Sequence, residues 1–109
     1  MTKIKIRQTR TFKRELKTLG KQHYPVSLIA DCIQAIVTKD NAKKARIHDH
    51  ALQGQWQGFR EFHPARLQKH HGHYDGWIVI YQIDQSILTL TLVTTGSHDV
   101  LRIKKKSSF

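Results

Sequence analysis

Apolar and polar positions in the first third of the chain predict one strand followed by two helices. Residues 3–7 alternate basic and apolar side chains, which is the period of a half-buried strand. Apolar residues then recur at helical spacing from Phe12, and Gly20 is a natural helix stop. Residues 26–39 carry a second, broader apolar stripe with the same spacing. This part of the chain therefore predicts a β-α-α order.

Later in the chain the helical period gives way to short apolar runs, which predict strands. After a polar connection, residues 45–48 predict a short edge strand and residues 59–63 a further strand. Residues 77–81 are almost continuously apolar, which predicts a central strand buried on both faces. The alternating residues 87–93 are its predicted hairpin partner. Between these strands, residues 64–76 have no apolar period and predict a mobile loop.

The end of the chain adds little to this architecture. Residues 100–103 predict either a short final strand or a turn, and the basic residues from about 104 predict a frayed tail. No repeat or second domain boundary is visible, so residues 1–109 are expected to form one domain. The order β-α-α-β-β-β-β predicts an α+β fold with two helices on one face of a mostly antiparallel sheet.

The charge of the chain favours a polyanionic partner. Among 109 residues, 19 are Lys or Arg and 8 are Asp or Glu, giving a formal net charge of +11. Such a field attracts phosphate backbones without regard to sequence. A solvated basic surface and an acidic protein partner are the alternatives, and nucleic acid is the favoured interpretation.

Several features favour a soluble cytoplasmic protein. Cys32 is the only cysteine and lies in an apolar segment, so it is interpreted as a small buried hydrophobe in a reducing compartment. The charged N-terminus lacks the apolar stretch of a signal peptide. The longest apolar run, residues 77–81, is too short to cross a bilayer.

Three histidines stand at predicted strand ends or turns, and only the fold could bring them together. They are His50, His63 and His98. Cleaving RNA without a metal requires a base for the 2′-hydroxyl proton, an acid for the departing 5′-oxygen and cations around the phosphoryl group. Imidazole can serve as either base or acid near neutral pH. The competing interpretation is that these are ordinary surface histidines.

Other polar and aromatic residues near these histidines are candidates for supporting roles. Arg60 is a candidate phosphate ligand, although it precedes Phe62 by two residues and so leans toward the core side of its strand. Asp75 is a candidate carboxylate partner for a histidine. Trp77 is an aromatic that could stack on a base, and packing in the core is the alternative role for it.

Metal catalysis is not predicted from the sequence. The eight acidic residues are scattered along the chain. Residues 48–50 and 70–73 hold clustered histidines, but neither has the spacing of a closed structural zinc site. No phosphate-binding glycine loop or nucleophile elbow is present. We therefore expect neither a functional metal nor a cofactor.

Three motifs resemble those of a known family. They are HDHALQGQWQGFREFH at residues 48–63, DGWIVIYQI at residues 75–83 and LTLTLVTTGSH at residues 88–98. Together they resemble the YafQ-like branch of the RelE/ParE superfamily of toxins from type II toxin-antitoxin modules. The resemblance runs from the first predicted strand to Leu101 and implies a RelE-like fold.

The resemblance also implies an activity and a site. It implies a ribosome-dependent endoribonuclease that cuts mRNA and is silenced by a cognate antitoxin, in a complex that could be a heterotetramer or larger. By motif, the catalytic positions are His50, His63, Asp75 and His98, with Trp77 as a supporting aromatic. Two departures stand out: the segment between His63 and Asp75 is longer than the usual link, and Arg102 replaces an aromatic, which could keep RNA contact through charge.

Two alternatives compete with the nuclease interpretation. A ParE-like toxin on the same fold would target DNA gyrase and would have no need of the three histidines. A catalytically inactive module would bind RNA or antitoxin only. Metal-free attack by the 2′-hydroxyl predicts ends with a 2′,3′-cyclic phosphate and a 5′-hydroxyl, which neither alternative produces.

Overall fold

The computed structural model describes residues 3–69 and 72–102, and of Arg102 the backbone only. In this part of the chain three helices accompany five strands, so the α+β prediction is confirmed. The elements are β1 (Lys5–Gln8), α1 (Arg10–Lys21), α2 (Leu28–Val37), α3 (Asn41–Arg46), β2 (His50–Ala51), β3 (Arg60–Phe62), β4 (Ile78–Asp84) and β5 (Thr89–Gly96). The predicted tail from residue 104 lies outside the described residues. None of the described helices is long and apolar enough to cross a membrane.

The five strands form one sheet in the order β1-β5-β4-β3-β2. β1 pairs in parallel with β5, and the other neighbours are antiparallel, as predicted for a mostly antiparallel sheet. Thr9 ties the first helix to this sheet: its hydroxyl accepts from the Phe12 N–H at 3.0 Å, as an N-cap does, and donates to the Val93 carbonyl at 2.6 Å. The helix start is thereby fixed over β5.

Both faces of the central strand are buried, as predicted for residues 77–81. On one face the core contains residues of α1, α2 and the sheet, among them Phe12, Ile29, Phe62, Val79, Tyr81 and Leu90. On the other face a smaller cluster consists of Trp56, Phe59, Ile78, Ile80 and Val93. Cys32 is buried in the helix-side core, and burial raises the pKa of its thiol to about 12, so it is an inert hydrophobe as interpreted.

The polar connection predicted at residues 40–44 and the edge strand predicted at residues 45–48 are wrong, because residues Asn41–Arg46 form α3. The Asp40 side chain caps this helix by accepting from the Lys43 N–H at 3.2 Å. At its other end, the N–H groups of His48 and Asp49 bond back to the carbonyls of Ala45 and Lys44, which closes a Schellman motif. The edge strand therefore begins only at His50.

The predicted mobile loop at residues 64–76 is also wrong for its described residues. It contains the 3₁₀ turns Pro64–Leu67 and Gly72–Tyr74, and Pro64 and Ala65 are buried. The Tyr74 ring lies 4.8 Å from that of Tyr24. Tertiary packing thus supplies the order that local sequence did not predict. Residues 70 and 71 of this segment lie outside the described residues.

For residues 100–102, the described part of the segment 100–103, the structure has a turn and no strand. A 3₁₀ turn spans His98–Arg102, directly after β5. The Leu101 carbonyl accepts from the Trp56 indole N–H at 3.0 Å and from the Gln55 amide at 3.1 Å. These bonds fix the turn that carries His98 against the smaller core cluster.

Candidate active site

Three imidazoles meet around one buried carboxylate on the sheet face opposite the helices. The Oε2 atom of Glu61 lies 3.4 Å from Nε2 of His50, 3.5 Å from Nε2 of His63 and 3.3 Å from Nε2 of His98. The three histidines singled out from the sequence are therefore brought together. We call these four residues the histidine cluster.

Strand pairing and alternation explain how distant residues reach this point. His50 of β2 lies directly opposite Glu61 of β3 in the antiparallel ladder. His63 follows β3 by one residue, and His98 begins the turn after β5. Gly54 and Gly58, both with positive φ, allow the chain to reverse between β2 and β3. Three sequence segments thus converge on one carboxylate.

Glu61 is the central residue that sequence reasoning missed. Glu61 is 3% exposed, and its Oε1 atom has no hydrogen-bond partner among the described residues. Burial alone would raise its pKa, but hydrogen bonds from His63 and His98 and the charges of His98 and His50 hold the pKa of Glu61 below its usual range. The carboxylate is therefore charged at neutral pH and presents its negative charge to the three surrounding rings.

A signal for Glu61 was present in the sequence. Arg60 was assigned to the core side of its strand because it precedes Phe62 by two, and the register confirms that assignment. The same alternation turns Glu61 to the other side, next to His63. A carboxylate two residues before a candidate histidine, on one strand face, is a better partner than a more distant aspartate.

Backbone carbonyls fix the tautomers of two histidines. Nδ1 of His50 donates to the His48 carbonyl at 2.7 Å, and Nδ1 of His63 donates to the Asp75 carbonyl at 3.1 Å. Their second nitrogens, Nε2, face the carboxylate, so either ring donates to Glu61 only when it is a charged imidazolium. A neutral ring presents an Nε2 lone pair instead. The cluster can therefore hold one ring as an acid and another as a base.

His48 adds a fourth imidazole at the rim of the cluster. Its exposed ring lies 4.2 Å from that of His50, centre to centre, and its backbone φ of 53° is unusual for a residue other than glycine. The charge of His50, above all, lowers the pKa of His48, and desolvation and the charges of His63 and Arg66 act in the same direction. His48 is therefore kept neutral beside the cluster.

The carboxylate of Asp75 does not take the place predicted for it. Arg66 holds that carboxylate through bonds of 2.9 Å from Nε and 3.3 Å from Nη2. Asp75 contributes its backbone carbonyl to His63 instead. The prediction that the Asp75 carboxylate pairs with a histidine is therefore corrected: His63 bonds to the backbone carbonyl of Asp75.

Two of the predicted RNA-binding residues, Arg60 and Trp77, are held by partners outside the histidine cluster. Arg60 faces the helix side, where its Nε donates to the Tyr81 hydroxyl at 3.1 Å and its Nη2 to Asp49 at 3.2 Å. Trp77 is 2% exposed and its indole N–H donates to the Thr95 hydroxyl at 2.8 Å, so stacking on a base is ruled out for this conformation. The side chain of Arg102 lies outside the described residues.

The histidine cluster also contains a donor set for a metal ion. One ligand atom each of Glu61, His63 and His98 lie within 4.8 Å of one another. Two imidazoles and a carboxylate suit zinc, copper or nickel, and the unpartnered Oε1 atom of Glu61 is a further acceptor at the same place. No sequence spacing predicted this set, because His98 lies in a segment 35 residues from His63.

Comparisons with known proteins give one consistent match. The sequence model of a family described as a bacterial toxin of a type II toxin-antitoxin system, YafQ, matches residues 4–103. The mRNA interferase toxin YafQ of Escherichia coli strain K12 is 24% identical over 90 residues, which cover 83% of this chain and 86% of that protein.

Solved structures with the same fold include toxins from two organisms. The E. coli DinJ-YafQ toxin-antitoxin complex contains a chain with a TM-score of 0.68 at 23% identity, covering 92% of this chain and 98% of that one. A metal-bound toxin from Helicobacter pylori gives a TM-score of 0.66 at 26% identity, covering 90% and 98% of the two chains. The arrangement of strands and helices is therefore that of a toxin fold.

Proposed function

Because this chain belongs to the YafQ family of bacterial toxins of type II toxin-antitoxin systems, we propose that it cuts mRNA on the ribosome as a metal-free endoribonuclease. One observation carries the proposal: the three imidazoles around the buried carboxylate of Glu61. A gyrase-binding toxin needs no such cluster. The relative from E. coli is named an mRNA interferase, which supports the same reaction.

In the proposed reaction the RNA supplies its own nucleophile. A neutral imidazole takes the proton of a 2′-hydroxyl, and the 2′-oxygen attacks the adjacent phosphorus. The bond from phosphorus to the 5′-oxygen breaks, and an imidazolium gives that oxygen its proton. The products are a 2′,3′-cyclic phosphate and a 5′-hydroxyl, so no water, metal or outside oxidant enters the step.

Exposure divides the roles among the histidines. The side chains of His50 and His98 are 36% and 51% exposed, whereas that of His63 is 4% exposed. We assign contact with the RNA to His50 and His98, one as base and the other as acid. His63 and Glu61 then act as positioning residues that hold the two rings and maintain the cluster's charge. Asp75 supports His63 through its carbonyl.

Cations around the phosphate complete the proposal. Arg102 remains a candidate phosphate ligand, because its backbone belongs to the same 3₁₀ turn as His98. Arg60 is held by Asp49 and Tyr81 on the other face, which favours a structural role. Partial burial lowers the pKa of Arg60, but its hydrogen bonds to Asp49 and Tyr81 outweigh that effect, and the pKa is raised.

We also propose the partners expected of such a toxin. The E. coli relative has been solved in a complex with the antitoxin DinJ, which supports a cognate antitoxin for this chain. We propose that the two form a heterotetramer or a larger complex. The net charge of +11 supports binding to ribosomal and messenger RNA. A toxin that acts on the bacterial ribosome works in the cytoplasm.

Mapping mRNA ends in a purified translation system tests the reaction and its site. We expect discrete cuts that require ribosomes, with 2′,3′-cyclic phosphate ends, and a loss of roughly 100-fold or more in rate for His50→Ala and His98→Ala. His23→Ala, which changes a histidine outside the cluster, is the matched control. Ends with 3′-hydroxyl and 5′-phosphate groups would contradict the mechanism. Blocked translation without any cut would redirect the work to DNA gyrase or to a binding-only module.

Metal binding is expected to inhibit the enzyme rather than serve it. A Zn²⁺ ion held by Glu61, His63 and His98 would occupy a nitrogen of His98, one of the two rings that exchange protons. We expect added Zn²⁺ to lower the cleavage rate, EDTA to restore it, and His63→Ala to weaken Zn²⁺ affinity in calorimetry while His23→Ala does not. Activation by Zn²⁺, or equal binding by both variants, would refute this expectation.

A further inference from the structure

A basic pocket lies between the end of α3 and the 3₁₀ turn Pro64–Leu67. It has a volume of about 460 Å³ and is lined by Arg46, Arg66, Gln68 and Lys69. Three of its four lining residues are cations, and none is acidic. We call this feature the basic pocket, and its charge suits an anion.

The basic pocket adjoins the histidine cluster through shared backbone. The Arg66 N–H donates to the His63 carbonyl at 3.1 Å, and the His63 N–H donates to the carbonyl of Ile47, the residue after Arg46, at 2.8 Å. The charge of Arg66 contributes to lowering the pKa of His48, after the larger effects of His50, desolvation and His63. An anion in the pocket would therefore lie beside the cluster.

Contacts already made hold the two guanidinium groups in place and leave donors for a ligand. Nη1 of Arg46 donates to the Leu67 carbonyl at 3.3 Å, while Nε and Nη2 of Arg66 bond to Asp75. A guanidinium has about five N–H donors, so each retains others. Buried Pro64 and Ala65 anchor the turn that carries Arg66. Arginines held in this way are suited to bidentate recognition of phosphate.

We propose that the basic pocket is a phosphate subsite, which holds an RNA backbone phosphate next to the one that is cleaved. This rests on the proposed RNA-cleaving function and adds a binding position to it. A backbone phosphate carries no sequence information, so the subsite sets the register of the strand over His50 and His98. Because the contact is the same before and during the reaction, it acts on KM rather than on kcat.

The experiment compares two double variants that lose the same charge at different places. Arg46→Gln/Lys69→Gln changes the pocket but spares Arg66, since Arg66 holds Asp75. Lys13→Gln/Lys17→Gln removes two exposed cations of α1. Affinity for a short labelled single-stranded RNA is measured by fluorescence anisotropy between about 50 and 200 mM KCl. Cleavage of ribosome-bound mRNA by the same proteins gives kcat and KM.

We expect the pocket variant to raise Kd roughly tenfold and to make the slope of log Kd against log salt shallower by about 0.7, the value for one single-strand phosphate. Its KM should rise while kcat stays within about twofold, and the α1 variant should change neither slope nor KM. Equal slopes for the two double variants would overturn the subsite. The two proposals can fail separately. If the slope is steeper for wild type than for the pocket variant but wild type cuts no mRNA, the phosphate-binding pocket stands and the proposed nuclease function fails.

Discussion

Replacing Glu61 by Gln is expected to lower kcat for mRNA cleavage by about 10² to 10⁴-fold, with little change in KM. The substitution keeps the shape of the side chain and removes the charge that faces Nε2 of all three histidines. Without that charge, the side chain no longer offers a charged acceptor to the imidazolium that acts as the acid. Single-turnover cleavage of ribosome-bound mRNA measures the effect.

A matched control separates this effect from the general cost of losing a carboxylate. Glu15 also accepts hydrogen bonds inside the fold, from the Thr94 hydroxyl at 2.6 Å and the Thr95 N–H at 3.1 Å, but it lies outside the histidine cluster. We expect Glu15→Gln to cut mRNA at nearly the wild-type rate. A Glu61→Gln enzyme with full kcat would show that the histidines exchange protons without the carboxylate.

The same residue predicts a pH dependence of stability. The folded protein holds the pKa of Glu61 below the unfolded value of about 4.5, so the unfolded state binds the proton more readily. The resulting stabilisation is fully present above the unfolded pKa and is lost as the pH falls through the folded pKa. Denaturant unfolding of wild type and Glu61→Gln should therefore differ most near neutral pH and converge in acid. A gap that widens in acid would contradict this sign.

Replacing Asp49 by Ala is expected to destabilise the fold by about 3 kcal/mol, the largest stability effect we predict. The Asp49 side chain is 1% exposed and accepts from the Tyr81 hydroxyl at 2.5 Å and from Arg60 at 3.2 Å. Its removal leaves a buried hydroxyl and a guanidinium that is one third exposed without their partner. Urea unfolding monitored by tryptophan fluorescence measures the change.

Lys44 and Tyr81 supply the controls for that experiment. The Lys44 ammonium lies 3.9 Å from the same carboxylate and is partly exposed, so Lys44→Gln should cost less than about 1 kcal/mol. Burial, followed by the bond to Asp49, raises the pKa of Tyr81, so its hydroxyl stays protonated as a donor. Tyr81→Phe should therefore cost about 1 kcal/mol. If Asp49→Ala lowers the free energy of unfolding no more than Lys44→Gln does, water replaces the carboxylate as the partner of Tyr81 and Arg60.

Asp49 also connects stability with the site. It follows His48, whose carbonyl fixes the ring of His50, and precedes His50 itself. Its bonds to Arg60 and Tyr81 anchor β2 to β3 and β4 on the helix side while His50 and Glu61 meet on the other face. The motif His-Asp-His thus places an anchor, Asp49, between two histidines of the site.

Local sequence determined the parts of this protein that depend on periodicity. The two long helices, the buried central strand and its hairpin partner follow from apolar spacing, since burial of an apolar stripe or face is what stabilises such elements. The motifs also indicated the toxin family and three of the four residues of the histidine cluster. α3 was missed because its six residues have little apolar pattern, and its stability comes from the Asp40 cap and from packing on α2.

Only the tertiary structure decided which groups act together. In the sequence, Glu61 is one of eight acidic residues with no feature that sets it apart by charge alone. It becomes the centre of the cluster because β2, β3 and the turn after β5 bring three imidazoles to one of its oxygen atoms. Asp75, favoured by its motif, is held by Arg66 and contributes a carbonyl instead. Periodicity fixes which face of a strand a side chain occupies, whereas distances between segments depend on register and turns, and proton exchange depends on those distances.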